Sequence, residues 1–382
     1  MNNQPLTINH QPLTINHVFV FLEIFAQEGG IQSYVKDVLQ AYSSFNLRSE
    51  IFLLRDAAGG ENTWENELIK FHYLKSKFPW QGRLKLAWLL FNCLSKRRPQ
   101  HVFCGHIKLV VLVNILCKSL GIPYTVLTYG KEVWETLPEL EKQALQKAAC
   151  IWTISRYSRD RLCAANQIPS EKVKILPCVV NGNIFTPGAK PEKLIEQYGL
   201  KNAKVLMTVA RLWSGDIYKG VDVTIRALPQ IQATFPAVKY LVIGRGDDKP
   251  RLAQLAADLG VGESVIFAGF VPTEKLVEHY RLADIYVMPS QEGFGIVYLE
   301  AMACGIPVIS GEGDGAADPL QDGRLGQGVP HRDPAAVAKA CLEILRGNEL
   351  RCNGNWLREE TLKHFSQAAL NEKLRNLLGF NG

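Results

Sequence analysis

Two successive runs of short apolar segments, each followed by a helical pattern, constrain the fold of this 382-residue chain more than any other feature. Strand-like segments of the first run lie at 16–25, 49–55, 101–106, 123–129, 150–155 and 174–180, with helical patterns between them, as at 30–45 and 108–120. The second run has strands at 204–210, 238–243, 265–269, 284–290 and 306–310. Strands alternating with helices make parallel sheets, because a parallel crossover needs a connection long enough to hold a helix. The chain is therefore predicted to be α/β, with two Rossmann-like doubly wound domains facing across a cleft and ligand at the carboxyl ends of the strands. The stretch NGNIFTPGAKPEK (181–193) is rich in Gly, Pro and Asn and reads as the linker. The expected organisation is a first domain over 1–185, a second over 186–365, and a terminal helix over 366–382 that packs back on the first.

The segment QPLTINH occurs twice, at 4–10 and 11–17, too short a unit for a repeat architecture. The second copy runs into the first strand, so the first copy is expected to be a disordered extension.

The chemistry concentrates in SQEGFGIVYLEAMACGIPVIS (290–310), which reads as strand end, glycine-bearing loop, helix 296–304 and next strand. Such a unit aims free backbone N–H groups and the positive end of the helix dipole at an anion. Gly293 and Gly295 let backbone approach a ligand. Glu292 and Glu300 would repel a phosphate unless they face hydroxyls. The combination suggests a sugar nucleotide, with the diphosphate on the helix N-terminus, one carboxylate on the ribose and one on the sugar.

A second loop, VARLWSGDIYKG (209–220), also follows a strand and precedes a helix. A departing nucleoside diphosphate gains negative charge, so Arg211 and Lys219 fixed there would stabilise the transition state more than the ground state. Gly29 and Gly30 open the first helix, and Gly244 lies in LVIGRGDD (241–248); both are weaker signals of a phosphate or nucleotide loop.

Together these segments resemble the retaining glycosyltransferases of family 4, which have the GT-B fold. The likeness rests on Glu292 and Glu300 with seven residues between them, on Arg211 with Lys219-Gly220, and on GGIQSYVKDVL (29–39), ILPCVVNGNIF (175–185) and VIFAGFVP (265–272). It runs from about residue 17 to the end. The resemblance implies that Arg211 and Lys219 hold the diphosphate, Glu300 the ribose and Glu292 the transferred sugar. It further implies that backbone N–H groups of Phe294, Gly295 and Ile296 touch sugar and phosphate, that the acceptor lies on the first domain, and that configuration is retained.

Two departures stand out. Many relatives carry His-Gly after the fourth strand, where this chain has Tyr129 in TYGKEVW (128–134). Tyr is a poor base near neutral pH, with an unperturbed pKa of about 10, so Tyr129 either orients the donor sugar or marks altered chemistry. Lys131, Glu132 and His106 are acceptor-side candidates. The other departure is spacing: Lys219 comes eight positions after Arg211, more than the common family interval.

Composition bounds the rest. With 47% hydrophobic and 21% charged residues the chain reads as soluble and globular, and no apolar run approaches the ~20 residues of a membrane span. Nine scattered cysteines without a C-x-x-C pair argue for reduced thiols in a cytoplasmic protein. Residues 1–185 carry 21 Lys and Arg against 14 Asp and Glu, while the remainder is near neutral, which hints at an anionic partner for the first half. The segment FPWQGRLKLAWLLFNCLSKRRP (78–99) is basic and strongly apolar. It reads either as a crossover helix packed on the sheet or as a peripheral contact with the cytoplasmic face of an anionic membrane.

The chain is therefore expected to move a sugar from a nucleotide-diphospho-sugar to an acceptor hydroxyl, on a polysaccharide, glycolipid or small molecule. No metal or other cofactor is expected, since Arg and Lys fill the cation's role, and no nucleic acid partner. The alternatives are a non-catalytic nucleotide-sugar-binding protein and a nucleotide-sugar epimerase.

Overall fold

The structure, a computed structural model, describes residues 15–26, 29–59, 62–347 and 349–380. The disorder expected of the first QPLTINH copy lies outside the described residues. The chain divides into two compact units: one runs to Ile154 and resumes over Ser158–Leu176, the other holds Ser155–Tyr157 and everything from Pro177 on.

The first unit is built on a seven-stranded sheet of order β3-β2-β1-β4-β5-β6-β7, parallel throughout. Its strands are β1 (His17–Phe21), β2 (Ser49–Leu53), β3 (Ile69–Tyr73), β4 (His101–Cys104), β5 (Tyr124–Leu127), β6 (Cys150–Thr153) and β7 (Val173–Ile175). Every residue of β1 is buried, which is what a central parallel strand covered on both faces requires. The helix Gly30–Ser43 buries Tyr34, Val35, Val38, Leu39 and Tyr42, spacings that fall on one helical face.

The second unit carries a six-stranded parallel sheet of order β10-β9-β8-β11-β12-β13. These strands are β8 (Val205–Val209), β9 (Lys239–Ile243), β10 (Val265–Gly269), β11 (Ile285–Met288), β12 (Val308–Gly311) and β13 (Gln327–Val329). Both sheets reverse their order once, at β1/β4 and at β8/β11, and these switch points are where doubly wound sheets open a crevice for ligand.

Two strands fall outside the expected series. β3 is an edge strand whose Lys70 points to solvent, and β13 is three residues long, so neither carries the continuous apolar run of an interior strand.

The helix Ile296–Ala303 is apolar almost all round, with Tyr298, Leu299, Ala301, Met302 and Ala303 buried. Burying Leu299 and Met302 stabilises the unit by about 1.5–3 kcal/mol each. The linker is fastened within the same unit. The Arg358 guanidinium, on the helix Gly354–Phe365, donates to the carbonyls of Gly182 (2.6 Å), Phe185 (2.6 Å) and Ala303 (2.5 Å). The last helix, Gln367–Leu377, belongs to the second unit and buries Leu370 and Leu374.

Candidate active site

In the second unit the loops after β8 and β11 flank the switch point, and Lys219 and Glu292 meet there. The Lys219 ammonium donates to Glu292 Oε1 at 2.5 Å, and both side chains are largely buried. Burial works against the lysine's charge. Glu292, Tyr218 and Asp216 more than offset it and hold the pKa above the usual lysine value. The two loops are also joined through backbone, since Gln291 N–H donates to the Tyr218 carbonyl at 3.2 Å.

Arg211 is exposed; its guanidinium pairs with Asp216 at 3.0 Å and lies over the Trp213 ring at 5.0 Å. Arg211 and Lys219 also line one small cavity.

The helix Ile296–Ala303 starts at Gly295, whose φ of +95° is left-handed and which offers no side-chain cap to the first turn. A Cβ there would lie 2.3 Å from the Tyr298 ring. The Tyr298 hydroxyl is bonded at 2.9 Å to both Ser290 Oγ and the Met288 carbonyl, so the ring cannot give way readily. Glycine is required on both counts.

One turn into the helix, Glu300 accepts a 2.7 Å hydrogen bond from the Tyr280 hydroxyl. Burial pushes its carboxyl up to about 7, and the Tyr280 bond only partly opposes this. Burial holds the Tyr286 hydroxyl well above the ordinary tyrosine value, and the charges of Glu300 and Glu292 add to the shift.

Gly244 directly follows β9 at φ +143°, where a Cβ would fall 1.8 Å from the Ala210 carbonyl oxygen. Its smallness is thus demanded by the neighbouring β8 loop, whatever a ligand adds.

In the first unit, Gly29 caps the helix Gly30–Ser43 without a side-chain bond, in extended backbone that any residue adopts. A cavity of about 200 Å³ opens at the β1/β4 switch point, lined by Glu23, Gln32, Arg55, His106, Lys108 and Tyr129 among others. His106 Nδ1 accepts from the Lys108 N–H at 3.1 Å, so the neutral ring carries its proton on Nε2. Burial, with Lys108 and Arg55 nearby, lowers its pKa to about 4 and keeps it neutral.

The Tyr129 hydroxyl is buried and donates to the Gly105 carbonyl at 2.6 Å. Burial, reinforced by Glu132, raises its pKa well above the tyrosine norm. Glu132 turns inward to accept from the Tyr129 N–H at 2.5 Å, and burial raises its own pKa. Lys131 opens the short turn Lys131–Val133 and is exposed.

Comparison with known proteins decides the family. Residues 203–347 match the family model described as glycosyl transferases group 1. Over 338 residues the chain is 31% identical to the GDP-mannose-dependent alpha-(1-6)-phosphatidylinositol monomannoside mannosyltransferase of Mycolicibacterium smegmatis, covering 84% of this chain and 86% of that one. The chain belongs to the glycosyl transferases group 1 family.

A relative from Corynebacterium glutamicum, named as a GDP-mannose-dependent monoacylated alpha-(1-6)-phosphatidylinositol monomannoside mannosyltransferase, is 28% identical across 92% of this chain and 94% of its own. The crystal structure of Anabaena Alr3699/HepE in complex with UDP superposes with a TM-score of 0.78 at 19% identity, covering 96% of this chain and 100% of that one. The expected GT-B fold is thus present, and the chain is a glycosyltransferase. Relatives that are transferases do not favour the non-catalytic and epimerase alternatives.

Within this glycosyltransferase the second unit brings Arg211, Lys219, Glu292, Gly293, Phe294, Gly295, Ile296 and Glu300 onto the two loops and one helix of the β8/β11 edge. Gly29, Gly30, His106, Tyr129, Lys131 and Glu132 lie in the first unit. Three side chains escaped the sequence reading. Asp216 holds Arg211, Tyr280 holds Glu300, and Asp314 accepts from the Glu292 N–H at 2.5 Å. Asp216 shares Arg211's own loop, and the Asp-Gly step at 314–315 is a turn signal. Nothing in the sequence pattern singles out Tyr280.

Proposed function

We propose that this glycosyltransferase moves a sugar from a nucleotide-diphospho-sugar to an acceptor hydroxyl with retention of configuration, on a lipid-anchored acceptor at an anionic membrane surface. The observation that carries the reading is the ion pair between Lys219, on the loop after β8, and Glu292, on the loop that opens the uncapped 296–303 helix. A cation, a carboxylate and the first amides of a helix without a side-chain cap suit a diphosphate with a sugar hydroxyl beside it.

In this reading Lys219 and Arg211, with the N–H groups of Phe294, Gly295 and Ile296, take the diphosphate. Glu300, steadied by Tyr280, takes two ribose hydroxyls, and Glu292 takes a hydroxyl of the transferred sugar. The bond from the anomeric carbon to the diphosphate oxygen breaks, and the acceptor oxygen bonds that carbon on the same face. The acceptor proton passes to the departing phosphate oxygen. Lys219 and Arg211 supply the countercharge, so turnover proceeds without a divalent ion and survives chelation.

The relatives' names make GDP-mannose and a phosphatidylinositol mannoside the first donor and acceptor to try. The acceptor head is assigned to the cavity bearing Arg55, Lys108 and the neutral His106, whose cations suit a phosphate. Membrane contact is assigned to the helix Pro79–Arg97. Its buried face presents Leu86, Leu90, Cys93 and Leu94, while Trp80, Leu84 and Trp88, at 59%, 61% and 67% exposed, form a stripe at four-residue spacing. Phe91 extends the stripe, and exposed Arg83, Lys85, Lys96, Arg97 and Arg98 surround it. Apolar side chains ringed by cations suit the interface of an anionic bilayer. No helix among the described residues is long and apolar enough to cross a membrane.

The test is transfer of label from GDP-mannose, with UDP-glucose and ADP-glucose in parallel, to phosphatidylinositol monomannoside in vesicles, by wild type and Lys219→Ala. Labelled lipid from the wild type alone is expected. No transfer from any of these donors to this or a panel of other hydroxyl acceptors, or equal transfer by both proteins, overturns the reading.

A further inference from the structure

Asp314 belongs to no role assigned so far. It follows β12, is 5% exposed, and directs both carboxylate oxygens at backbone. Oδ2 accepts from the Glu292 N–H at 2.5 Å and Oδ1 from the Ala316 N–H at 2.8 Å. The adjacent Gly315 N–H donates to the Glu292 carbonyl at 2.9 Å. Both backbone hydrogen-bonding groups of Glu292 are thus taken by two consecutive residues of another loop.

The loops also touch without intervening side chains. A Cβ on Gly315 would stand 2.1 Å from the Gly293 carbonyl oxygen and 2.8 Å from that of Glu292. Only glycine allows this approach, and the approach is what brings Asp314 within reach of the Glu292 amide.

We propose that Asp314 is a positioning residue for sugar transfer, anchoring the Glu292 backbone while its side chain exchanges Lys219 for a hydroxyl of the donor sugar. The inference rests on the reading that Glu292 meets that sugar. The arrangement is not what a loop needs merely to close. A carboxylate is buried near a second one, Glu292, where a serine or asparagine side chain would take the Ala316 amide without charge but offer no second oxygen to the Glu292 amide. Burial first, and then Glu292, raise the Asp314 carboxyl to about 6, with the two amide bonds and Lys219 opposing the rise. A charge kept at such cost gains two charge-assisted bonds that fix the main chain more firmly than neutral ones. With Glu292 fixed at both its N–H and its C=O, swinging between partners is confined to side-chain torsions. A displacement of about 1 Å at a reacting group can cost on the order of 100-fold in rate.

The test compares wild type, Asp314→Asn, Glu292→Ala and the double variant, using GDP-mannose or whichever of the three sugar nucleotides the wild type turns over. Asp314→Asn keeps size and one acceptor oxygen but presents an N–H to an N–H. It is expected to lower kcat roughly 10- to 100-fold, with the dissociation constant for the nucleoside diphosphate held within about two-fold, since Glu292 does not hold the phosphates. In the Glu292→Ala background the same substitution is expected to cost nothing further. Asp314→Ser, which keeps one acceptor oxygen, stands in should the asparagine variant not fold.

An unchanged kcat in Asp314→Asn, or an equal loss with and without Glu292, overturns the proposal for Asp314. Undiminished turnover by Glu292→Ala instead overturns the role of Glu292 on which it rests, so the two failures are distinct.

Discussion

Lys219 and Glu292, seventy-three positions apart in the chain, share a 2.5 Å ion pair in which each occupies the other's proposed ligand position. The carboxylate sits against Lys219 where a diphosphate oxygen is to bind, and the ammonium against Glu292 where a sugar hydroxyl is to bind. In water such a pair contributes little, but here both side chains are largely buried, and removing either leaves a desolvated charge alone. The donor must therefore replace both partners at once, which favours a whole sugar nucleotide over either of its halves.

Lys219→Ala is expected to lower kcat by roughly 100- to 1,000-fold, the cost of removing one group that stabilises charge developing in the transition state. Affinity for the free nucleoside diphosphate falls with it. Glu292→Gln is expected to lower kcat while leaving that affinity intact or improved, because the freed ammonium no longer has a competing carboxylate. Steady-state kinetics and calorimetry on the two variants check this; parallel losses of affinity contradict it.

Glu300 links stability to function through pH. The unfolded chain releases this proton near 4.5 and the folded one near 7, so the native state holds the extra proton between those values. Stability from this group is present below pH 4.5, falls as pH rises through that window and stays reduced above it. Glu300→Gln removes the buried charge and is expected to raise Tm at pH 8 but not at pH 4.5. It is also expected to weaken nucleoside diphosphate binding about 10- to 100-fold, the worth of a charged acceptor to ribose hydroxyls. Melting curves at both pH values and calorimetry at pH 8 decide; a higher Tm with unchanged affinity removes Glu300 from the ribose site.

Gly295→Ala places a Cβ 2.3 Å from a pinned Tyr298 ring at a φ of +95°. Destabilisation of about 1–3 kcal/mol is expected from the strained backbone alone, together with weaker diphosphate binding as the first amides of the helix move. Denaturant titration and calorimetry test both parts, and an alanine variant of wild-type stability contradicts the geometry.

How far the sequence foretold this molecule varies by residue. Interior strands such as VLMTV in β8 and IYVM in β11 are nearly unbroken apolar runs, which parallel burial on both faces makes readable. Edge strands β3 and β13 lack that pressure and went unseen. Arg211, Lys219 and Glu292 were readable as candidates because charges on glycine-bearing loops after strands have few structural reasons to be there, and Glu300 because it is a carboxylate inside an otherwise apolar helix. Their partners were not. Tyr280 and Asp314 act across 20 and 22 positions through single bonds, a relation no periodicity encodes. The engagement of the Tyr129 hydroxyl by the Gly105 carbonyl, 24 positions away, is of the same kind.

Replacing Trp80, Leu84, Trp88 and Phe91 together by serine is expected to release the protein from vesicles containing phosphatidylglycerol or phosphatidylinositol. Turnover of a short-chain, water-dispersed acceptor is expected to be unchanged. Each of these side chains contributes on the order of 1.5–3 kcal/mol when buried, so the combined loss is readily seen by vesicle sedimentation. Binding to anionic vesicles equal to that of the wild type removes this helix from the membrane contact.

The most direct measurement is a crystal structure with the intact sugar nucleotide, or with its nucleoside diphosphate and the free sugar. The Lys219–Glu292 pair is predicted to be broken, with Lys219 Nζ on a diphosphate oxygen, Glu292 on a sugar hydroxyl and Glu300 on the ribose. A nucleotide bound elsewhere while Lys219 and Glu292 remain paired, or a Glu300 that meets no ribose oxygen, contradicts it.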